Sequence, residues 1–209
     1  MNEHIESKQV KVLHKTYTIK IYPDDIPINP REDCDNLGTI IYWSNRYNLG
    51  EINGRSGNID AKDFVKQKTK EGAVILPVYI YDHSGITINT TGFSCQWDSG
   101  QVGWIFADKE AIRKWFEVKR ITKKLRDQVS RHLVEEIGIF DKYIQGDAYG
   151  FKIKDEDEQN IDSCWGFYDK EECMKYAEAN VPSEQDILND IKEKEKQQEE
   201  ALQNLVGIA

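Results

Sequence analysis

Two observations predict an α+β fold: alternating apolar strands toward both ends of the chain and capped amphipathic helices in clusters. The expected architecture is a largely antiparallel sheet with packed helices and an acidic C-terminal helix. The chain has 209 residues, enough for one domain with an appendage. Its five Trp, ten Tyr and seven Phe can fill a core without disulfide staples. The expected partition is a single α+β domain over 1–181 and a helical appendage over 182–209.

Val10 to Ile21 alternates apolar and polar residues with a change of phase near His14, the pattern of a strand or hairpin. The segment from Tyr22 to Gly38 holds three prolines and reads as a loop. Thr39 to Trp43 is a short strand covered on both faces. Ser44 to Asn58 is a Gly/Asn-rich connection of a length that is often functional. Asp60 caps a helix that Gly72 ends. Ala73 to Asp82 is the most hydrophobic run and reads as a strand. Pro77 cannot donate to a ladder, so it belongs at an edge or a bulge. Ile86 and Ile88 mark a second strand, and Gln101 to Ala107 a third.

Asp108 caps the next helix, where Ile112, Trp115 and Phe116 are expected to form one buried stripe. Thr122 caps a longer helix whose Leu125, Val129, Leu133 and Ile137 share a face. The segments 147–153 and 160–168 pair as a hairpin, with Tyr149, Phe151 and Ile153 on one face of its first strand. Ile161, Trp165 and Phe167 are expected on one face of its second. Asp169 starts a short helix that ends before Pro182. Ser183 and Asp186 form a capping-box-like start to the last helix. Its apolar stripe, Ile187, Leu188 and Ile191, lapses through a charged middle and resumes at Ala201, Leu202 and Leu205. That stripe needs burial, by docking or by a homodimer through 183–205. Its interruption argues against a long coiled coil.

The net charge of −9 is uneven. Residues 154–209 carry sixteen Asp/Glu and six Lys/Arg; the remaining residues carry 21 and 22. Asp155, Glu156, Asp157 and Glu158 head this acidic third, which either solubilises a helix or imitates a nucleic-acid backbone for a basic groove. The overall charge disfavours strong duplex DNA binding by the whole chain. No apolar run approaches a membrane span, and the N-terminal residues lack a signal-peptide pattern, so a cytoplasmic protein with no membrane association is expected. Cys34, Cys95, Cys164 and Cys173 form no C-x-x-C pair, as expected of small buried hydrophobes.

Asp82-His83-Ser84 looks like a catalytic triad in a row, but neighbouring strand residues face opposite ways. Asp82 and Ser84 are expected to bond their own backbone in a turn before Gly85. An enzyme reading would pair His83 with Cys95 or Cys164, as in a hydrolase. His132, beside the apolar face of its helix, reads as a packing residue. Gly100-x-x-Gly103 matches an RNA clamp only loosely, since here it enters a strand. Asp155, Asp157 and Glu158 lack the glycine and distal glutamate of a calcium loop, and no metal or cofactor is expected. Lys119, Arg120, Lys123, Lys124 and Arg131 make one basic cluster. Lys123 and Lys124 oppose the helix dipole, a hint of an anion there. A nucleic-acid or nucleotide-binding reading uses these cations for phosphates and Trp97 or Trp104 to stack a base.

Three segments carry a family resemblance: Leu76–Phe106, Val118–Val129, and Tyr149–Ile153 with Ile161–Asp169. The distinctive stretches are Asp82-His83-Ser84-Gly85, Trp97 to Gly103, and Ser163-Cys164-Trp165-Gly166. In order and spacing, from Leu37 to about Ala177, the chain resembles a family of small proteins often encoded by bacteriophages, prophages and mobile elements. The first strands and the helix after Ser183 fall outside it. The resemblance brings no catalytic residue with it. It implies a phage or mobile-element accessory protein, a class in which anti-CRISPR and other anti-defence roles are prominent. Joined to the acidic asymmetry and the lack of a coherent catalytic signature, it leads to one expectation. The protein binds and inhibits a host defence component without catalysis, and its partner is a bacterial host protein with a basic surface.

Overall fold

The computed structural model describes residues 3–206, with side chains as far as Ala201. In chain order its elements are β1 (Glu6–Val12), β2 (Lys15–Pro23), β3 (Thr39–Tyr42), β4 (Ile52–Asn53), α1 (Ala61–Glu71), β5 (Val74–Asp82), β6 (Ile86–Asn89) and β7 (Ser99–Ala107). There follow α2 (Lys109–Trp115), α3 (Lys123–Gln145), β8 (Tyr149–Lys154), β9 (Asn160–Phe167), α4 (Lys170–Ala179) and α5 (Glu184–Val206). The class is α+β, with mostly antiparallel sheets. The chain groups into two compact units, one built from 1–25 with 148–209, the other from 26–147. The sequence reading placed no boundary at either junction. A unit assembled from two distant segments leaves no continuous pattern to read.

In the first unit the sheet order is β1-β2-β8-β9, all antiparallel. The phase change near His14 is the β1–β2 turn, where Leu13 takes a left-handed φ of 54°. Period-two alternation turns Tyr17, Ile19, Ile21, Phe151 and Ile153 to one face. There they meet Cys173 and Ala177 of α4 and Ile187 of α5. The Asp169 carboxylate caps α4 by accepting from the Glu172 amide at 3.0 Å. At α5 the Asp186 carboxylate accepts from the Ser183 amide at 2.9 Å, and the Ser183 hydroxyl accepts from the Asp186 amide at 3.3 Å. Hydrogen bonds from the Ser183 hydroxyl and amide hold the Asp186 carboxyl below its usual range. Ile187 is buried and Ile191 packs beside it, so this part of the stripe is satisfied within the unit. Leu188, placed on the same stripe by sequence, is exposed. The side chains of Leu202 and Leu205 lie outside the described residues.

Strand β9 departs from simple alternation. Gly166 takes φ +90°, and a bulge there sets Phe167 opposite Tyr149 but Trp165 opposite Gly150. Trp165 and Phe167 therefore do not share a face. Phe167 packs inward, its ring 6.0 Å from that of Phe151 and 5.3 Å from that of Tyr176. Trp165 turns outward.

In the second unit the order is β4-β3-β7-β5-β6, antiparallel except for the short parallel β3–β4 pair. One face presents Ile40, Val78, Ile88 and Ile105 to Val129, Leu133, Ile137 and Phe140 of α3 and Ile112 of α2. On the other, Phe64 of α1 meets Phe106 edge-on at 5.2 Å and Trp43 at 6.5 Å. Asp60 caps α1 through the Lys62 and Asp63 amides, and Gly72 closes it in the left-handed region. Among the described residues, strand β6 pairs only with Tyr79–Asp82. At Pro77 the strand β5 therefore has one neighbour, β7, and a register shift follows at Val78/Tyr79. The α2 stripe is narrower than the sequence spacing implies. Ile112 is buried and Phe116 packs against the core, but Trp115, at the last helical position, is 41% exposed.

Candidate functional site

Asp82 to Trp104 forms the β5–β6 hairpin, a loop over 90–98, and the start of β7. The hairpin turn is His83-Ser84-Gly85, with Ser84 at φ 59° and the His83 amide donating to the Gly85 carbonyl at 3.0 Å. The Asp82 carboxylate does not serve this turn as expected. It accepts from Arg46 Nη1 and the Tyr47 hydroxyl, each at 2.9 Å, and so pins the long connection between β3 and β4. Burial first, and the Asp82 hydrogen bond second, push the Tyr47 phenol above its ordinary value. Gly103 lies close to the neighbouring strand, where a Cβ would sit 2.3 Å from the Ile41 carbonyl oxygen. Gly100 has open space around it. The two glycines thus serve strand pairing and a strand start, not a backbone clamp.

His83 and Cys95 do come together, but through a third residue. His83 Nδ1 lies 3.3 Å from Asp98 Oδ2, and Cys95 Sγ lies 3.7 Å from the same oxygen. A nucleophilic pair needs the imidazole as acceptor for the thiol proton, with the carboxylate behind the imidazole. Here the carboxylate stands between them, so the imidazole is not positioned as the base. The His83 ring instead stacks on Tyr81 at 5.9 Å. Cys164 belongs to the other unit, where it packs against the Phe151 core.

The 90–98 loop is tied at both ends. Asn89 Oδ1 accepts from the amides of Thr91 at 3.1 Å and Gly92 at 2.7 Å. The Ser99 hydroxyl donates to the Cys95 carbonyl, and the Asp82 amide donates to the Asp98 carbonyl at 2.8 Å. From this held loop Trp97 projects with 96% of its surface exposed. An open groove of 580 Å³ lies in the same region, lined in part by Tyr79, Phe93, Gln96 and Gln101. Trp104, the other proposed stacking residue, is half-buried against Trp43, ring centroids 5.4 Å apart, and is far less exposed than Trp97.

The basic cluster lies at the α2–α3 junction. Residues 109–131 hold nine Lys/Arg and three Asp/Glu, a local net of +6. Lys119, Arg120, Lys123, Lys124 and Arg131 are exposed, and among the described residues none of them forms an ion pair. The first turn of α3 contains no acid. Arg126 is different: it donates to the Gly72 and Ala73 carbonyls at 2.9 and 2.8 Å and closes the end of α1. Trp115 borders the cluster, its ring 5.4 Å from that of His132. His132 lies between that ring and Glu136, its Nε2 3.4 Å from the carboxylate.

Sequence reasoning missed the buried ion network of the second unit. Arg31 donates through Nε to Glu51 at 2.8 Å, through Nη1 to Asn36 and Glu136 at 2.9 Å each, and through Nη2 to the Gly38 carbonyl at 2.7 Å. Nη2 also lies 2.6 Å from Glu51. Four of these contacts are hydrogen bonds, and the Nη2 contact to Glu51 is an ion pair. A cleft of 490 Å³ beside it is lined by Tyr42, Asn48, Glu51, Asn53, Phe140 and Tyr143, among others. Arg31 itself also lines this cleft. The signal in sequence was Glu136 itself, which falls on the α3 face that carries Val129, Leu133 and Phe140.

The acidic turn of the first unit is largely structural. Asp155 Oδ1 accepts from the Asp157 and Gln159 amides, Glu156 accepts from the Thr16 amide, and Glu158 bridges Lys20 and Lys154. Of the four carboxylates only that of Asp157 lacks such a contact among the described residues. Comparison with known proteins finds no family model, curated protein or solved structure that matches the chain.

Proposed function

We propose that this is a non-catalytic accessory protein of a phage or mobile element that binds and inhibits a host defence component, in an anti-CRISPR or other anti-defence role. The partner is a protein of the bacterial host cytoplasm with a basic surface. The observation that carries a recognition role is Trp97, fully exposed on a loop that is tied down on both sides. Docking a tryptophan buries roughly 150–250 Å², which at about 25 cal/mol per Å² is about 4–6 kcal/mol. The loop is already ordered, so little of that is offset on binding. Exposed tryptophans of this kind are common anchors of interfaces. The segment resemblance supports the phage context, and the net charge supports a basic partner.

The test is protection of phage in a defence-positive host, combined with affinity for the recovered host component. Trp97→Ala should abolish protection and weaken binding by about thirtyfold or more. His83→Ala and Cys95→Ser should keep full effect. Loss of protection in Cys95→Ser, or full protection in Trp97→Ala, would sink this reading.

A second reading, nucleic-acid binding through 119–131, is favoured by the five exposed cations, which form no ion pairs among the described residues. It places Trp115, not Trp104, beside the phosphate-binding residues. Under it, Lys119→Glu with Lys123→Glu should lower the salt slope of binding by about two. An unchanged slope removes it.

A further inference from the structure

We propose that the outer face of the first unit's sheet is a stacking platform for single-stranded nucleic acid. This goes beyond both readings above, since it concerns other residues in the other unit. The face opposite α4 and α5 carries a cross-strand row of Tyr22, Gly150 and Trp165. A Cβ on Gly150 would lie 2.1 Å from the Trp165 ring, so only glycine leaves room for the indole to approach β8 this closely. The ring reaches 6.1 Å from that of Tyr22, and Trp165 remains 44% exposed. His4 extends the row on the far side of Tyr22, with ring centroids 6.2 Å apart.

The next row across the same face pairs Lys20 with Lys152, and the row after it pairs Thr18 with Lys154. Two residues along a strand span about 7 Å, roughly the reach from a stacked base to its own phosphate. Lys152 Nζ lies 5.5 Å from the centroid of the Tyr22 ring and forms no ion pair among the described residues. Glu158 is the carboxylate that opposes these cations, held below its usual range by Lys154 and Lys20. Aromatic rings backed by a line of lysines suit unpaired bases and their phosphates. A duplex hides its base faces and would gain only the phosphate contacts. This unit itself carries a net charge of −9, so these few lysines suffice only for a short strand at low salt. Sequence alternation hid the platform because it assigned Trp165 to the face of Phe167.

The experiment is fluorescence anisotropy of the full chain with a short labelled oligothymidylate at low salt, with a duplex of equal length as competitor. Binding should be salt-sensitive, and the duplex should compete poorly. Trp165→Ala and Tyr22→Ala should each weaken binding about tenfold or more. Lys152→Glu, a surface change that keeps the stacked rings, should lower the salt slope by about one while circular dichroism stays unchanged. Lys119→Glu with Lys123→Glu should leave binding intact, which separates this platform from the α2–α3 cluster. Absence of oligothymidylate binding, equal competition by duplex, or full affinity in Lys152→Glu and Trp165→Ala overturns the proposal. Loss of binding only in the Lys119/Lys123 variant overturns it too.

Discussion

Glu136 accepts hydrogen bonds from the Leu37 amide at 2.8 Å, the Gly38 amide at 3.2 Å and Arg31 Nη1 at 2.9 Å, in a site 8% exposed. Removing that cation leaves a buried carboxylate held by the two backbone amides, with the His132 imidazole 3.4 Å away. Arg31→Met is therefore expected to cost about 3–5 kcal/mol, read as a lower urea midpoint at unchanged slope. A change under 1 kcal/mol, on the order of an ordinary surface substitution, would mean that the pair is solvated in solution. Cys173 makes the opposite case, a buried group without a charge to satisfy. Burial first, with Cys164 adding to it, pushes its thiol up from 9.0 to about 12. The sign follows directly. Below pH 9.0 both states are protonated and its contribution is intact; as pH rises toward about 12 the unfolded thiol ionises first, and stability falls. Cys173→Ala should flatten that alkaline decline relative to the wild type in thermal melts. At neutral pH, alkylation should reach exposed Cys34 first and Cys173 only on unfolding. The sequence grouped all four cysteines as buried hydrophobes, which fits Cys173 and fails for Cys34. Local residue type does not determine the depth of a single position in a loop.

Helix α3 shows what periodicity can and cannot reveal. Val129, Leu133 and Ile137 are buried as their spacing predicts, and Thr122 caps the helix through the Leu125 amide at 3.2 Å. The same helix begins with Lys123 and Lys124 and no acid in its first turn. Two cations at the positive end of the dipole are an intrinsic disadvantage, and this separates stability from binding. Lys123→Glu and Lys124→Glu should each stabilise the protein by about 0.3–1 kcal/mol in low salt, while weakening any anion held at the junction. Measured by urea denaturation, a destabilisation would mean that these lysines already have structural partners. Strand β9 marks the limit of pattern reading. Its apolar residues were visible, but the Gly166 bulge inverted the face of Trp165, and a bulge carries no hydrophobic signature. The His83–Asp98–Cys95 cluster was half legible for the same reason. Sequence suggested two members, but only the folded 90–98 loop places Asp98 between them.

At the scale of the whole chain, charge and connectivity divide along one line. Residues 1–25 with 148–209 carry twenty Asp/Glu and eleven Lys/Arg, a net of −9, whereas 26–147 carry seventeen of each. The sequence reading located the acidic third but could not know that 1–25 folds with it. Each unit also has a separate core, one gathered around Ile40, Ile105 and Leu133, the other around Ile19, Phe151 and Cys173. The chain leaves the first unit and returns to it at adjacent points, since the Asp24 amide donates to the Ala148 carbonyl at 2.8 Å. The continuous segment 26–147 should therefore fold alone, with a cooperative melt and native-like circular dichroism. It retains Trp97 and its tied loop but none of the −9 charge. If Trp97 anchors the partner and the acidic unit steers it, the segment should bind with a similar dissociation rate and a slower, less salt-sensitive association rate. Stopped-flow or surface-plasmon kinetics across a salt series distinguishes the two roles. A faster dissociation with unchanged association would place the anchor in the acidic unit instead.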